Sequence, residues 1–532
     1  MGSFARPAFF WAGAAACTAG ALLHLPMYLH ARHMGYRMAG MPVDTPMLTG
    51  MLLIVTGVAA VLHGLLPRGS DALRRQVASV RVRAVDDAPL RPAHVALLAV
   101  LSLAVTIDVM KPMTLSFVVP GVAKEYGLAS PLNPGGDVPV SWLPLSGIAG
   151  TMTGSFLWGW LGDRIGRRGS ILLAGVLFAT TAVCGAMPSF SWNVAMCFLM
   201  GTAAGGLIPI AFTLLVETVP QRHRGWLMVL IGGNVTIAYI LTSWLAATLT
   251  PTYSWRILWL AGLPTGLLLI ALNHWIPESP RYLLATGRTE EARRVLARYG
   301  STLQDAPAVA APDETGPARP GYRGLFAASF RGPTLALTVL AVGAGLMSYG
   351  FQMWLPTNLG RLGITEVSSD RVLRDSALIS LPLNVLTALL YGLWSSRRTV
   401  IALAGLTAAA LVALAVLAET AAGHGLPLRL LLLVPLWGIS ATAAVLAAYS
   451  SEAYPTPLRA RGTSWAAGTS KAGGVAVLGL SVAAVAVPPL GVTALLGAVP
   501  LALAAVAFAL YGPETRGRRL DEIVPGQVPA RA

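Results

Sequence analysis

Charge is what this chain has least of. Asp, Glu, Lys and Arg make up 11% of its 532 residues, against roughly 25% in an ordinary soluble protein. That scarcity excludes a soluble enzyme or DNA-binding domain. The net charge of +15 therefore does not read as a nucleic-acid footprint, and no nucleic-acid partner is expected. Cysteine is scarce too. Cys17, Cys184 and Cys197 all sit in apolar blocks, at no spacing that suits a disulfide framework or a metal, so they read as packing residues. Alternating polarity is missing, which excludes a membrane barrel. P-loop and nucleophile-elbow patterns are missing as well, so neither an enzyme nor a cofactor is expected.

What the chain has in abundance is apolar sequence, 55% of all residues, with a mean hydropathy of +0.65. It falls into about fourteen blocks near 20 residues long, the length a helix needs to cross a bilayer. The fold class expected is an all-α polytopic membrane protein. With the amino terminus inside, the inside segments hold 28 of the 38 Lys and Arg, the outside segments eight and the spans two. The positive-inside rule then places both termini in the cytoplasm of a multi-pass plasma (inner) membrane protein. The first apolar block is too long for a signal-peptide core and lacks a small-residue cleavage site, so it reads as retained.

The organisation expected is a two-helix membrane hairpin at 1–66, an Arg-rich cytoplasmic linker at 67–92, a six-helix half at 93–276, a cytoplasmic loop at 277–331, a second six-helix half at 332–511 and a cytoplasmic tail at 512–532. In the central loop, Ala292, Val295, Leu296 and Tyr299 share one face of an amphipathic helix, and four prolines mark a connector after it. The hairpin concentrates His and Met. If it continues helically, His30, Met34, Met38 and Met41 share a face that could present soft ligands to copper(I), but the favoured reading is that Met packs and His sits at an interface, and no metal site is assigned.

The most specific stretch is GWLGDRIGRR at 159–168, a charged hairpin between two apolar blocks. Gly159, Gly162 and Gly166 let the flanking helices approach, and Asp163, Arg164, Arg167 and Arg168 stay at the membrane surface. An internal repeat supports the two halves. ETVPQRHRG and EAYPTPLRARG pair Glu217 with Glu452 and Arg224 with Arg461, with Arg459 beside the latter, and the next span in each half ends in Pro-Glu, at Glu278 and Glu514. GLWSSRRTV is the second-half counterpart of the charged hairpin, keeping Arg397 and Arg398 with Ser where the acid would be.

The pattern G-x-L-x-D-R-x-G-R-R resembles the signature loop of major facilitator superfamily transporters. PESPRYLL, with Glu278 and Arg281, and PETRG, with Glu514 and Arg516, resemble the sugar-porter and organic-ion branch over about residues 93–523. SYGFQMWLPTNL is more similar to the aromatic-acid transporters, which have a similar Phe-x-x-Trp-Leu-Pro. The resemblance implies alternating access, with the charged loops and the repeat acids closing the cytoplasmic side. One departure is plain: Cys197 stands where the superfamily often has an arginine linked to proton coupling.

Two ionisable residues lie inside the span at 93–118. Asp108 and Lys111 are one turn apart and share a face, so a proton-carrying acid and an anion-holding base are the functional reading, a structural ion pair the plain one. Repeat alignment puts Lys471 and Asn234 at equal depth, nine residues after Gly462 and Gly225, roughly 13 Å into their helices. Tyr349, Gln352 and Asn384 complete the expected pocket or serve as helix–helix hydrogen bonds. Two bases against one acid favour a small organic anion, carried with a proton by a monomer embedded in lipid. The rivals are an efflux pump for a metabolite or antibiotic and a non-transporting sensor that uses the His/Met hairpin.

Overall fold

The computed structural model describes residues 6–66, 89–130, 133, 135–301, 322–364, 366–421, 425–454, 456–483 and 488–516. Nearly all of the Arg-rich linker and of the Pro-rich connector lies outside these residues. Among the described residues, helices dominate, with isolated bridges only at 129–139 and 130–133. Eleven helices are long and apolar enough to cross a bilayer, and Ile257–Leu272 is apolar but shorter. The block expected at 139–161 overlaps the first part of the helix Trp142–Thr180, ahead of the candidate span Arg164–Ala186, and the block at 462–487 overlaps Thr456–Ala483; neither stretch is among the eleven. The count of fourteen therefore rests on the sequence.

The chain packs as two compact units. One comprises Met1–Leu128, Ser146–Arg224 and Thr248–Gly316; the other comprises Ala129–Leu145, Gly225–Ala247 and Pro317–Ala532.

In the first unit the hairpin helices Pro7–Leu22 and Thr45–Leu65 cross at glycines. A Cβ on Gly13 would sit 2.5 Å from the Gly57 carbonyl, and one on Gly50 would sit 2.7 Å from that of Gly20. Backbones this close are how helices associate in lipid, where burying apolar surface gives no driving force. The copper-ligand face does not form. The helix stops at His30, a 3₁₀ turn covers Ala31–Met34, and Gly35 and Tyr36 take positive φ. Met38 is instead fully buried beside Met27, Tyr28, Val183 and Met187, while His30 and Met34 are exposed. This segment is fastened to the first unit by Glu125. Its Oε1 accepts the Met38 N–H at 2.8 Å, the Ala39 N–H at 3.1 Å and the buried Arg256 guanidinium at 2.8 Å.

Pro112 and Pro120 lie inside the helix Pro92–Tyr126, which continues through both. The amphipathic helix of the central loop runs Thr289–Arg298, with Ala292 and Leu296 buried.

In the second unit the helix Arg331–Gly345 widens into a π-helical turn, Leu346–Gln352, before resuming as Met353–Arg361. Such turns often mark functional positions because they re-aim side chains. A Cβ on Gly345 would lie 1.8 Å from the Ser470 carbonyl, so glycine is what allows this helix to cross Thr456–Ala483 next to Lys471.

Candidate transport and gating residues

The first unit holds the intramembrane charges. Asp108 and Lys111 are both buried, at 2% and 6% exposure, on the helix Pro92–Tyr126. Lys111 Nζ lies 5.6 Å from the centroid of the Phe178 ring. It also sits 2.7 Å from the place a Cβ on Gly262 would take, with the Phe178 carbonyl and Thr181 hydroxyl adjoining. A cation held against an aromatic face in low dielectric attracts an anion strongly. Cys197, where the family often has arginine, is fully buried, its sulfur 3.1 Å from a Cβ built on Gly147.

In the second unit, Val235, Thr236, Tyr239, Gln352, Ala377, Ser380, Leu436 and Ser440 line a small cavity with room for about one water. Two of the sequence candidates, Gln352 and Asn384, come together around it and play different parts. Asn384 Nδ2 donates to Thr236 Oγ1 at 2.8 Å, and its Oδ1 accepts the Ser440 hydroxyl at 3.0 Å. Both ends of the amide are therefore used in joining helices. Gln352 is buried with Oε1 lacking a hydrogen-bond partner, an arrangement that a donor on a ligand would satisfy. Asn234 is buried at the start of Asn234–Tyr253, next to Val235 of the lining. Tyr349 and Lys471 do not line this cavity. The Tyr349 ring packs on Gly474, one turn beyond the half-buried Lys471.

The cytoplasmic acids form two related clusters, one in each unit. In the first, Glu278 Oε1 accepts the backbone N–H of Arg167 at 2.7 Å, of Arg168 at 3.3 Å and of Ser279 at 2.9 Å. This seat exists because Gly166 breaks the helix at φ 82°, ψ 169°. Only glycine adopts that conformation readily, and a Cβ there would come 2.4 Å from the Glu278 carboxylate. Burial pushes the Glu278 carboxyl above its ordinary range despite these donors. Arg167 also reaches Glu217 at 3.7 Å and the Gly162 carbonyl at 3.0 Å, and the Ser279 hydroxyl donates to Glu217. Arg164 is buried, and its carbonyl accepts the Tyr282 hydroxyl at 3.1 Å. Arg224 is buried with a guanidinium N–H donated to the Val219 carbonyl at 3.1 Å.

In the second cluster, Glu514 accepts the Ser396 N–H at 2.9 Å together with the hydroxyls of Ser395 and Ser396. Burial raises its carboxyl, but these donors outweigh it and hold the group below the ordinary range. Glu452 accepts the Tyr391 and Thr515 hydroxyls, each at 2.8 Å. The Ser170 hydroxyl bonds the Gly166 carbonyl, and the Thr399 hydroxyl bonds that of Ser395. Glu278 takes the N–H of Arg167 just after the break at Gly166, and Glu514 takes that of Ser396 just after the extended Ser395, which sets the register of the repeat and corrects the sequence alignment. Ser395 matches Gly166, Ser396 matches Arg167 and Arg397 matches Arg168. The residue at the acid position is Gly392, not a serine.

Arg397 donates to the Phe508 and Ala509 carbonyls, Arg398 stacks on Trp394, Arg516 is exposed and Arg461 is half-buried. The side chains of Asp163, Arg281 and Arg459, and the environment of Gly159, lie outside the described residues. Sequence reasoning missed Ser279, Thr515 and Tyr391. The first two were within reach, since a hydroxyl follows the Pro-Glu pair in both halves.

A family model described as Sugar (and other) transporter matches residues 117–525. The niacin transporter NiaP of Acinetobacter baylyi is 26% identical over 464 residues, which cover 83% of this chain and 99% of that protein. The inner membrane metabolite transport protein YgcS of Escherichia coli is 31% identical, covering 70% of this chain and 82% of its own length. Among solved structures, the proton:xylose symporter XylE shares the fold, with a TM-score of 0.63 at 19% identity over 81% of this chain and 98% of that one. This chain, a multi-pass membrane protein built of apolar helices, belongs to the Sugar (and other) transporter family of the major facilitator superfamily and is a transporter rather than an enzyme.

Proposed function

We propose that this transporter moves a small organic anion across the plasma membrane by alternating access, coupled to protons, as a monomer with both termini in the cytoplasm. The observation that carries this reading is the pair of buried charges on one membrane helix, Asp108 and Lys111. Desolvating charge in a span is costly and persists where it serves a pathway. Lys111, beside the Phe178 ring, attracts the anion's charge, and Asp108 carries the proton. Lys471 adds a second cation, while Asn234, Tyr349, Gln352 and Asn384 shape the remaining pocket. Relatives named as transporters of niacin, 4-hydroxybenzoate and gallate support an aromatic carboxylate as cargo.

The acid clusters are the gate in this reading. Asp163, Arg164, Arg167, Arg168, Glu217, Arg224, Glu278 and Arg281 hold the cytoplasmic ends together in the outward-open state. Their counterparts Arg397, Arg398, Glu452, Arg459, Arg461, Glu514 and Arg516 contribute less, because the second half has Gly392 and Ser396 where the first has Asp163 and Arg167. Such contacts bias a two-state equilibrium by their difference between the states.

The test is uptake of a labelled aromatic carboxylate into proteoliposomes under an inward proton gradient. Wild type is expected to accumulate it. Asp108→Asn is expected to lose accumulation yet retain counterflow, and full accumulation by this variant would overturn the proton role.

A further inference from the structure

Three span ends meet at one corner of the second unit, where Trp394 ends a span, Ser396 begins the next and Tyr511 ends a third. Between them Trp394, Ser395, Arg398, Glu514 and Arg516 line an open groove. The acid in this groove is already engaged. Glu514 Oε2 is taken by the Ser395 hydroxyl, and Oε1 by Ser396 and the Arg516 N–H.

The two arginines are not matched in this way. Arg398 lies over the Trp394 ring, 6.0 Å from its centroid, and Arg516 spends one N–H on the Trp394 carbonyl at 2.8 Å. Among the described residues, neither guanidinium forms an ion pair with a carboxylate. Each keeps several of its five N–H donors, in the planar fork that fits phosphate. Arg398 also stands in the first turn of the helix Ser396–Ala421, where a cation is disfavoured by the helix dipole and an anion favoured. The rim of the groove is apolar and outward-facing: Leu393 and Leu510 are each 66% exposed, with Trp394 and Tyr511 about half exposed. Trp and Tyr at this depth are the usual anchors at a membrane interface.

We propose that this groove binds the headgroup phosphate of an anionic phospholipid, with Arg398 and Arg516 as its ligands and the acyl chains lying along Leu393 and Leu510. The leaflet, the inner one, follows from the proposed topology. The binding itself does not depend on that topology or on what is transported.

The experiment uses the purified full chain and counts retained lipid by native mass spectrometry, with phosphatidylglycerol, phosphatidylcholine and inorganic phosphate as probes. Wild type is expected to retain one phosphatidylglycerol that Arg398→Gln/Arg516→Gln binds roughly tenfold more weakly, the loss of one or two charge-assisted hydrogen bonds. Arg398→Lys/Arg516→Lys keeps the charge without the fork, and several-fold weakening is expected; it serves as the readout should the glutamine variant fail to fold. Equal retention by wild type and variants would overturn the proposal. So would displacement of the lipid by an equal concentration of inorganic phosphate, which would reassign the groove to a free anion. Because the readout is bound lipid and not flux, failure of the transport reading leaves this result untouched.

Discussion

Glu278 Oε1 sits 2.7 Å from the backbone N–H of Arg167, across 111 residues of chain, and Gly166 is what lets it reach there. The carboxylate occupies the space a side chain at 166 would need. Gly166→Ala therefore carries both a φ penalty and a clash, together about 1–3 kcal/mol. A fall in melting temperature is expected by scanning fluorimetry. Gly169→Ala, whose Cβ would have no neighbour nearer than 3.6 Å, should leave it nearly unchanged, and equal effects would count against this seat.

The two Pro-Glu acids should respond oppositely to pH. Glu514 is held below the ordinary carboxylate value of 4.5 by its donors, so its contribution to stability is present above that value and is lost as pH falls through its folded pKa. Glu278 is raised by burial, so its contribution is present below 4.5 and is lost as pH rises through its folded pKa. At neutral pH, Glu514→Gln is expected to destabilise and Glu278→Gln to cost less or to stabilise. Melting curves of the two variants from pH 4 to 8 check this, and parallel curves would contradict it.

Two buried amides should separate by readout. Asn384 uses both ends on Thr236 and Ser440, so Asn384→Ala is expected to lower stability by about 1–2 kcal/mol, the scale of interhelical hydrogen bonds in membranes. Gln352 has a buried oxygen without a partner, so Gln352→Ala should leave the melting temperature within a degree or two and weaken substrate affinity instead. Ligand-induced thermal shifts, read beside the unliganded melting temperature, tell the two apart.

Much of this was legible in the sequence, and the limits have physical causes. Apolar block length announces membrane helices because hydrocarbon forces backbone groups to bond within the segment. The repeat acids announce themselves because Pro and Gly fix their surroundings. The hairpin misled because a helical face was extrapolated through Gly35 and Tyr36, whose left-handed φ values end the helix. The one-residue shift at Ser395 was not legible either. It depends on where the second helix breaks, and that break uses an extended serine at φ −165° instead of a glycine. Tyr391 was missed for the same reason: only in the corrected register does it stand where the first half has Gly162.

The first gate cluster should matter more than the second. Arg167 pairs with Glu217, and the second half has Ser396 in its place, with Tyr391 and Thr515 donating hydroxyls to Glu452. Arg167→Ala is expected to expose cytoplasmic-side reporter cysteines several-fold faster, and Tyr391→Phe by less than half as much. Identical rates in both variants would remove the asymmetry.

The most direct measurement compares uptake of an aromatic carboxylate with that of its neutral amide in wild type and Lys111→Gln. Lys111 lies buried against the Phe178 ring, where removing one cation should cost a bound anion 2 kcal/mol or more, on the order of thirtyfold. The carboxylate is expected to lose at least tenfold in transport efficiency while the amide changes less than twofold. Equal losses for the acid and the amide would contradict anion transport through Lys111.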